Sequence, residues 1–101
     1  MCVTKATISG VTNGSVVDAD TAVRCTADDN AYPSADYLWI NHVDGSQVTG
    51  PQFVLNPDTE YKLNCYASNN FRRCYATDYV EFSSKSMLYL LRIFTYVWLS
   101  V

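Results

Sequence analysis

Apolar and polar residues alternate with a period of two along several short segments of the chain. In residues 21–27 the odd-numbered positions, which include Val23 and Cys25, fall on one face, and Arg24 falls on the other. Residues 61–68 repeat the pattern, so that Leu63 and Cys65 share a face. Because successive side chains of a strand point to opposite sides, the alternation predicts half-buried β-strands. No helical periodicity precedes residue 86, so we predict an all-β fold.

Turn-forming dipeptides divide the chain into about seven predicted strands. Asp44-Gly45 supplies the positive φ that a hairpin turn requires, and Gly50-Pro51 ends a short edge strand. We predict one domain over residues 1–85, in which the segment after Asn13-Gly14 is a loop with a short second segment. The predicted strands cover residues 3–9, 21–27, 37–42, 47–49, 52–55, 61–68 and 75–84.

Residues 86–101 differ from the rest because they are almost wholly apolar and aromatic from residue 87 onward. The stretch 87–101 is shorter than the roughly 18–20 residues that a spanning helix needs, and Arg92 interrupts it. A truncated membrane anchor, a non-native extension and a processed lipid-anchor signal are the open alternatives. In each case we expect the tail to lie outside the domain core.

The four cysteines are an even set and accompany one glycosylation triplet, Asn13-Gly14-Ser15. Together these features predict an oxidising, extracellular or cell-surface environment, with Asn13 as the glycosylation site. Asn-Gly is also a tight-turn dipeptide, and the two interpretations are compatible. No signal peptide follows Met1, so we expect the chain to be a fragment of a longer protein.

Three residues at characteristic separations carry a resemblance to a known family. Trp39 follows Cys25 by fourteen positions, and Cys65 follows Cys25 by forty. With the run from Cys65 to Asn69, this set resembles the immunoglobulin superfamily over roughly residues 3–85. It is most similar to the intermediate-set or short constant-like domains of cell-adhesion molecules and immune receptors. The family usually carries Tyr two residues before the second cysteine, where this chain has Leu63.

The resemblance implies an immunoglobulin-like sandwich of about seven antiparallel strands. It also implies a disulfide between Cys25 and Cys65 that packs against Trp39, with Val23 and Leu63 in the core. Four cysteines allow three connectivities, and spacing alone does not choose among them. The implied topology favours a bond between Cys2 and Cys74. Pairing of Cys2 with another chain, or a free Cys2, stays open.

Candidate chemistry in the chain points away from catalysis. His42 is the only histidine and has no positioned nucleophile beside it in the sequence. The cysteines lack the close spacing of a zinc site, and Asp28-Asp29 with Asn30 is better explained as a solvated loop than as a calcium site. We therefore predict no enzyme and no cofactor. The net charge of −3 argues against nucleic-acid binding.

The resemblance implies an extracellular recognition or cell-adhesion module that binds a protein or glycan partner. The alternatives are a secreted immune-type binding protein and a structural spacer in a multi-domain ectodomain. In the first case, residues 87–101 would anchor the module to a membrane. One predicted surface is the loop end; the other is the outer face of the sheet that the third, sixth and seventh predicted strands form. The loop-end candidates are Tyr32, Phe71, Arg72 and Arg73, and the sheet-face candidates are Leu38, Ile40, Tyr66 and Tyr79.

Overall fold

The computed structural model describes residues 2–28, 33–69 and 73–85. These residues form eight strands and no helix, so the all-β prediction is confirmed. The predicted apolar tail, residues 86–101, lies outside the described residues. Within the described part, no helix is long and apolar enough to cross a membrane. The strands are β1 (Ala6–Ser9), β2 (Val16–Asp18), β3 (Val23–Ala27), β4 (Asp36–Asn41), β5 (Gln47–Thr49), β6 (Gln52–Phe53), β7 (Glu60–Asn69) and β8 (Cys74–Lys85).

The strands form two sheets. The smaller has the order β1-β3-β6 and is antiparallel, whereas the larger has the order β2-β8-β7-β4-β5. In the larger sheet the pairs β8–β7, β7–β4 and β4–β5 are antiparallel, but β2 runs parallel to β8. The prediction of seven antiparallel strands is therefore corrected, because β2 is an eighth strand among the described residues. Val17 is half-buried and packs against the core, but β2 has only three residues and Val16 is apolar although exposed, so the sequence shows no period of two there.

The hydrophobic core draws its residues from both sheets. Val23 in β3, Trp39 in β4 and Leu63 in β7 each have 0% of their surface exposed. The Cys25–Cys65 disulfide joins β3 to β7, with 6.4 Å between the Cα atoms, and so links the two sheets covalently. Trp39 lies opposite Cys65 in the β4–β7 ladder, which places the indole beside this bond.

Four aromatic rings extend the core along the sheets. The centroid distances are 5.6 Å from Trp39 to Phe53, 5.6 Å from Phe53 to Tyr61 and 5.2 Å from Tyr61 to Phe82. The Tyr61 hydroxyl also accepts a hydrogen bond from the backbone N–H of Asn56 at 2.6 Å. Tyr61 therefore ties down the loop before β7, because a buried tyrosine needs a polar partner for its hydroxyl.

The chain crosses from the larger sheet to the smaller one at Gly50 and Pro51. The Trp39 Nε1–H donates to the carbonyl of Gly50 at 2.9 Å, and the backbone N–H of Cys25 donates to the carbonyl of Pro51 at 2.8 Å. Gly50 has a φ of 111°, which residues with a side chain rarely adopt. The crossover is thus fixed to both the indole strand and the first cysteine strand.

Candidate functional site

A second disulfide closes the N-terminal end of the domain. Cys2 is bonded to Cys74, with 5.1 Å between the Cα atoms, and no described cysteine is free. The bond attaches the N-terminal segment to Cys74, the first residue of β8. Tyr75 is the next residue, so it lies beside a covalently fixed position. Cys74 is buried and Cys2 is exposed.

Polar side chains hold the same N-terminal segment. The Asp28 carboxylate accepts hydrogen bonds from the backbone N–H of Thr4 at 3.0 Å and of Lys5 at 3.1 Å. These donors, the Thr4 N–H above all, place the pKa of Asp28 below its ordinary value because they favour the ionised carboxylate. The Asn69 carbonyl oxygen accepts from the Val3 N–H at 3.1 Å. Asp28 therefore fastens the N-terminal segment, a role that the solvated-loop interpretation did not include.

The predicted loop-end surface is described only in part. Tyr32, Phe71 and Arg72 lie outside the described residues, as do Asp29 and Asn30 of the acidic loop. Arg73 is exposed and directly precedes Cys74. Among the described residues, no group of three or more His, Cys, Asp or Glu side chains is arranged to hold a metal ion.

The outer face of the larger sheet brings all four of its predicted residues together. The ladder pairs Leu38 with Tyr66, and Ile40 with Asn64, which in turn pairs with Tyr79. Leu38, Ile40 and Tyr66 are half-buried, whereas Tyr79 is 41% exposed. Apolar side chains thus occupy neighbouring strands on the side of the sheet that faces away from the core.

A groove occupies the half of this face nearest the start of β8. Its volume is about 680 Å³, and among its described lining residues only Asp36 carries a formal charge. Tyr75 is the most exposed aromatic residue there, at 65%. The sequence interpretation did not single out Tyr75, although it shares the odd-numbered face of β8 with Tyr79. The lining includes Leu38, Thr49, Pro51, Tyr66, Ser68 and Tyr75.

The other half of the outer face is polar and hydrogen-bonded. His42 Nε2 and the Asn64 carbonyl oxygen are 2.7 Å apart, and the Tyr79 hydroxyl donates to the Glu81 carboxylate at 2.7 Å. The Glu81 carboxylate raises the pKa of Tyr79, because the hydrogen bond favours the protonated phenol. His42 is exposed and contacts an amide rather than a nucleophile. The face therefore has an apolar groove at one end and a charged, polar cluster at the other.

The predicted glycosylation residue lies in an exposed turn beside the polar half. Asn13 is exposed, and its carbonyl oxygen accepts a hydrogen bond from the backbone N–H of Glu81 at 3.0 Å. Gly14 has a φ of 77°, and the Ser15 N–H donates to the Thr12 carbonyl at 3.1 Å, which closes a tight turn. The Asn-Gly turn predicted from the sequence is present.

Comparison with known proteins adds no assignment. No protein-family model matches the chain, and no curated protein or solved structure matches it. Function is therefore inferred from the two sheets, the disulfides and the outer face themselves.

Proposed function

We propose that the chain forms an immunoglobulin-like sandwich and acts as an extracellular recognition module that binds a protein or glycan partner without catalysis. The sandwich assignment is supported by the disulfide from Cys25 in one sheet to Cys65 in the other. Trp39 beside Cys65, fully buried, matches the family pattern. The strand orders β1-β3-β6 and β2-β8-β7-β4-β5 are compatible with two sheets that enclose one core.

The groove on the outer face is the observation that carries the recognition proposal. Leu38, Tyr66 and Tyr75 line it although none of them belongs to the buried core cluster. A tyrosine offers a large apolar ring and a hydroxyl that forms hydrogen bonds, which is why tyrosine is enriched at binding surfaces. Contiguous apolar surface with a polar border is typical of a contact site rather than of a solvated face.

An extracellular location is supported by the two disulfides. Reducing compartments keep thiols free, and small secreted domains use such crosslinks to offset the limited stability of a small core. Cys2–Cys74 and Cys25–Cys65 close loops with sequence separations of 72 and 40 residues. Anchoring through residues 87–101 would place the module on a cell surface, and its absence would make it a secreted binding protein.

A binding screen with the full chain tests the recognition proposal. The chain, secreted behind a borrowed signal sequence and coupled to beads for multivalency, is offered a glycan array and a panel of extracellular protein domains that includes itself. We expect saturable binding to at least one member, with the Tyr66→Ala variant bound at least about tenfold more weakly, as a contact-centre tyrosine predicts.

Thr26→Ala is the matched control for Tyr66→Ala. Thr26 is exposed on β3, in the smaller sheet, and its substitution leaves the groove unchanged. Equal loss of binding in both variants, or binding that Tyr66→Ala leaves intact, would contradict the proposed face. Absence of binding to every member would favour the structural spacer instead.

A further inference from the structure

We propose that Asn13 carries an N-linked glycan that lies along the edge of β8, at the end of the outer face away from the groove. Asn13-Gly14-Ser15 is the acceptor triplet, whose middle residue can be any residue except proline and is Gly14 here. The triplet alone is a pattern that arises by chance. Its placement in the fold is what makes the site suitable.

The acceptor nitrogen is free while the rest of the side chain is fixed. Asn13 is exposed, its carbonyl oxygen is bound to the Glu81 N–H at 3.0 Å, and its Nδ2 makes no hydrogen bond to any residue the structure describes. An N-linked sugar retains this carbonyl oxygen, because the linkage is itself an amide. Glycosylation and the contact with Glu81 are therefore compatible in the folded domain.

The transfer requires a glycan donor of the polyprenyl-diphosphate class and a transferase of the secretory pathway. The bond from sugar C1 to the diphosphate oxygen breaks, and a bond from C1 to Asn13 Nδ2 forms. Nδ2 gives up one proton, and the polyprenyl diphosphate leaves. No oxidant or reductant takes part, and the folded domain has only to accommodate the product.

Room for the first sugar lies directly beside the turn. A shallow depression of about 270 Å³ adjoins Gly14 and Ser15 and is bordered by Glu60, Lys62 and Glu81. These side chains offer hydrogen-bond partners to sugar hydroxyls. The turn itself is open, because no atom outside Gly14 and its two chain neighbours lies within 4 Å of the position that a Cβ on Gly14 would occupy.

The glycan lies at one end of β8, and the groove lies at the other. Along the strand, Glu81 is six residues from Tyr75, which corresponds to about 20 Å. The groove end thus stays open, whereas the edge next to Asn13 is covered. At this edge the backbone groups of Glu81 are already hydrogen-bonded. Its carbonyl accepts from the Gly14 N–H at 2.8 Å, and its N–H donates to the Asn13 side chain at 3.0 Å. A glycan there would further prevent edge-to-edge pairing with another chain.

The inference rests on the extracellular location within the proposed function, so the test supplies entry into the secretory pathway. The full chain is expressed in eukaryotic cells behind a borrowed signal sequence. Intact mass and peptide mapping are measured before and after treatment with an amidase that releases N-glycans and converts Asn to Asp. We expect most secreted molecules to carry a glycan, and the conversion to occur at position 13.

Two substitutions of Ser15 separate the glycan from the fold. Ser15→Ala should abolish the modification, and Ser15→Thr should retain it. Should Ser15→Ala fail to be secreted, Asn13→Asp is a second unglycosylated variant, whose carboxylate can still accept from the Glu81 N–H. Disulfide-bonded, secreted parent protein without sugar at Asn13 would overturn the inference and leave the recognition proposal standing. Protein that is glycosylated at Asn13 but binds no partner would support the glycan inference and count against the recognition proposal.

Discussion

The two faces of the five-stranded sheet are built from the same strands but meet different surroundings. On β7, the inward residues Tyr61, Leu63 and Cys65 are all buried beneath the smaller sheet. On the same strand, the outward residues include Tyr66, which no described element covers completely. The inner face is closed by a disulfide, whereas the outer face carries a groove of about 680 Å³.

The difference shows which apolar residues the fold itself requires. Leu63 and Trp39 contribute buried surface that stabilises the folded state, and any polar replacement there would be costly. Leu38 and Tyr66 lie on the opposite face, pair across β4 and β7, and are only half-buried. Under the proposed function, the apolar surface that they leave exposed is where a partner would bind.

Removing the two disulfides in turn should produce the largest contrast. Replacing Cys25 and Cys65 together with alanine should cost about 4–5 kcal/mol, enough to abolish folding, because the crosslink and buried volume are both lost. Replacing Cys2 and Cys74 together with alanine should cost about 2–4 kcal/mol and leave the β-sheet circular dichroism signal intact. Circular dichroism shows whether each variant folds, and chemical denaturation measures the lowered free energy of unfolding of a variant that does. A domain that still folds without the Cys25–Cys65 bond but not without the Cys2–Cys74 bond would contradict this prediction.

A pair of identical substitutions on the two faces should give the next largest difference. Leu63→Ala, which opens a cavity in the core, should lower the free energy of unfolding by about 2–5 kcal/mol. Leu38→Ala should lower it by about 1 kcal/mol or less, because Leu38 is only half-buried on the outer face. Both are read from urea unfolding curves of the full chain. Equal losses would mean that the outer face is covered within the chain and is not free for a partner.

The pH dependence at the N-terminal segment should be the smallest effect. The pKa of Asp28 is lower in the folded state than its ordinary value, so its contribution to stability is complete above about pH 4 and is lost as the pH falls through the folded pKa. Asp28→Asn should therefore lower the melting temperature near pH 7, and this difference should shrink as the pH falls below about 4, which a thermal melt series measures. A constant difference across the series would exclude the carboxylate as the cause.

Burial alternation made the inner face predictable from the sequence. The odd-numbered residues of β7 were assigned inward, and Tyr61, Leu63, Cys65 and Ala67 are buried. By contrast, β2 is not predicted as a strand, because its three residues are too few to show a period of two and Val16 is apolar although it is exposed. Asn41 is buried at 2% although it is polar, since its carbonyl oxygen accepts from the N–H groups of Val43 and Lys62.

The outer face was predictable in outline but not in its geometry. Strand parity alone placed Leu38 and Ile40 on the outer face of one strand and Tyr66 on the outer face of another. It did not predict the groove. The groove depends on how Pro51 and Tyr75, distant in sequence, approach the same end of the sheet. Long-range contacts such as the Asp28 carboxylate with the Thr4 N–H have no local signal either, because a sequence pattern reports neighbours within a single element.

Placing a glycan on either sheet tests most directly whether the outer face of the larger sheet is the recognition surface. Tyr75→Asn creates an acceptor triplet with Ala76 and Thr77 at the groove, and Thr7→Asn creates one with Ile8 and Ser9 on the exposed side of β1. Adding Thr77→Ala to Tyr75→Asn keeps the same residue change without the sugar. Each variant is secreted as the full chain and assayed for partner binding and thermal stability.

We predict that the glycan at position 75 abolishes binding, that the glycan at position 7 leaves it within about twofold of the parent, and that neither glycan unfolds the domain. The sugar-free control should bind more strongly than its glycosylated counterpart, because only the latter fills the groove. Binding that persists with a glycan in the groove, or that is lost with the glycan on β1 alone, would contradict the account.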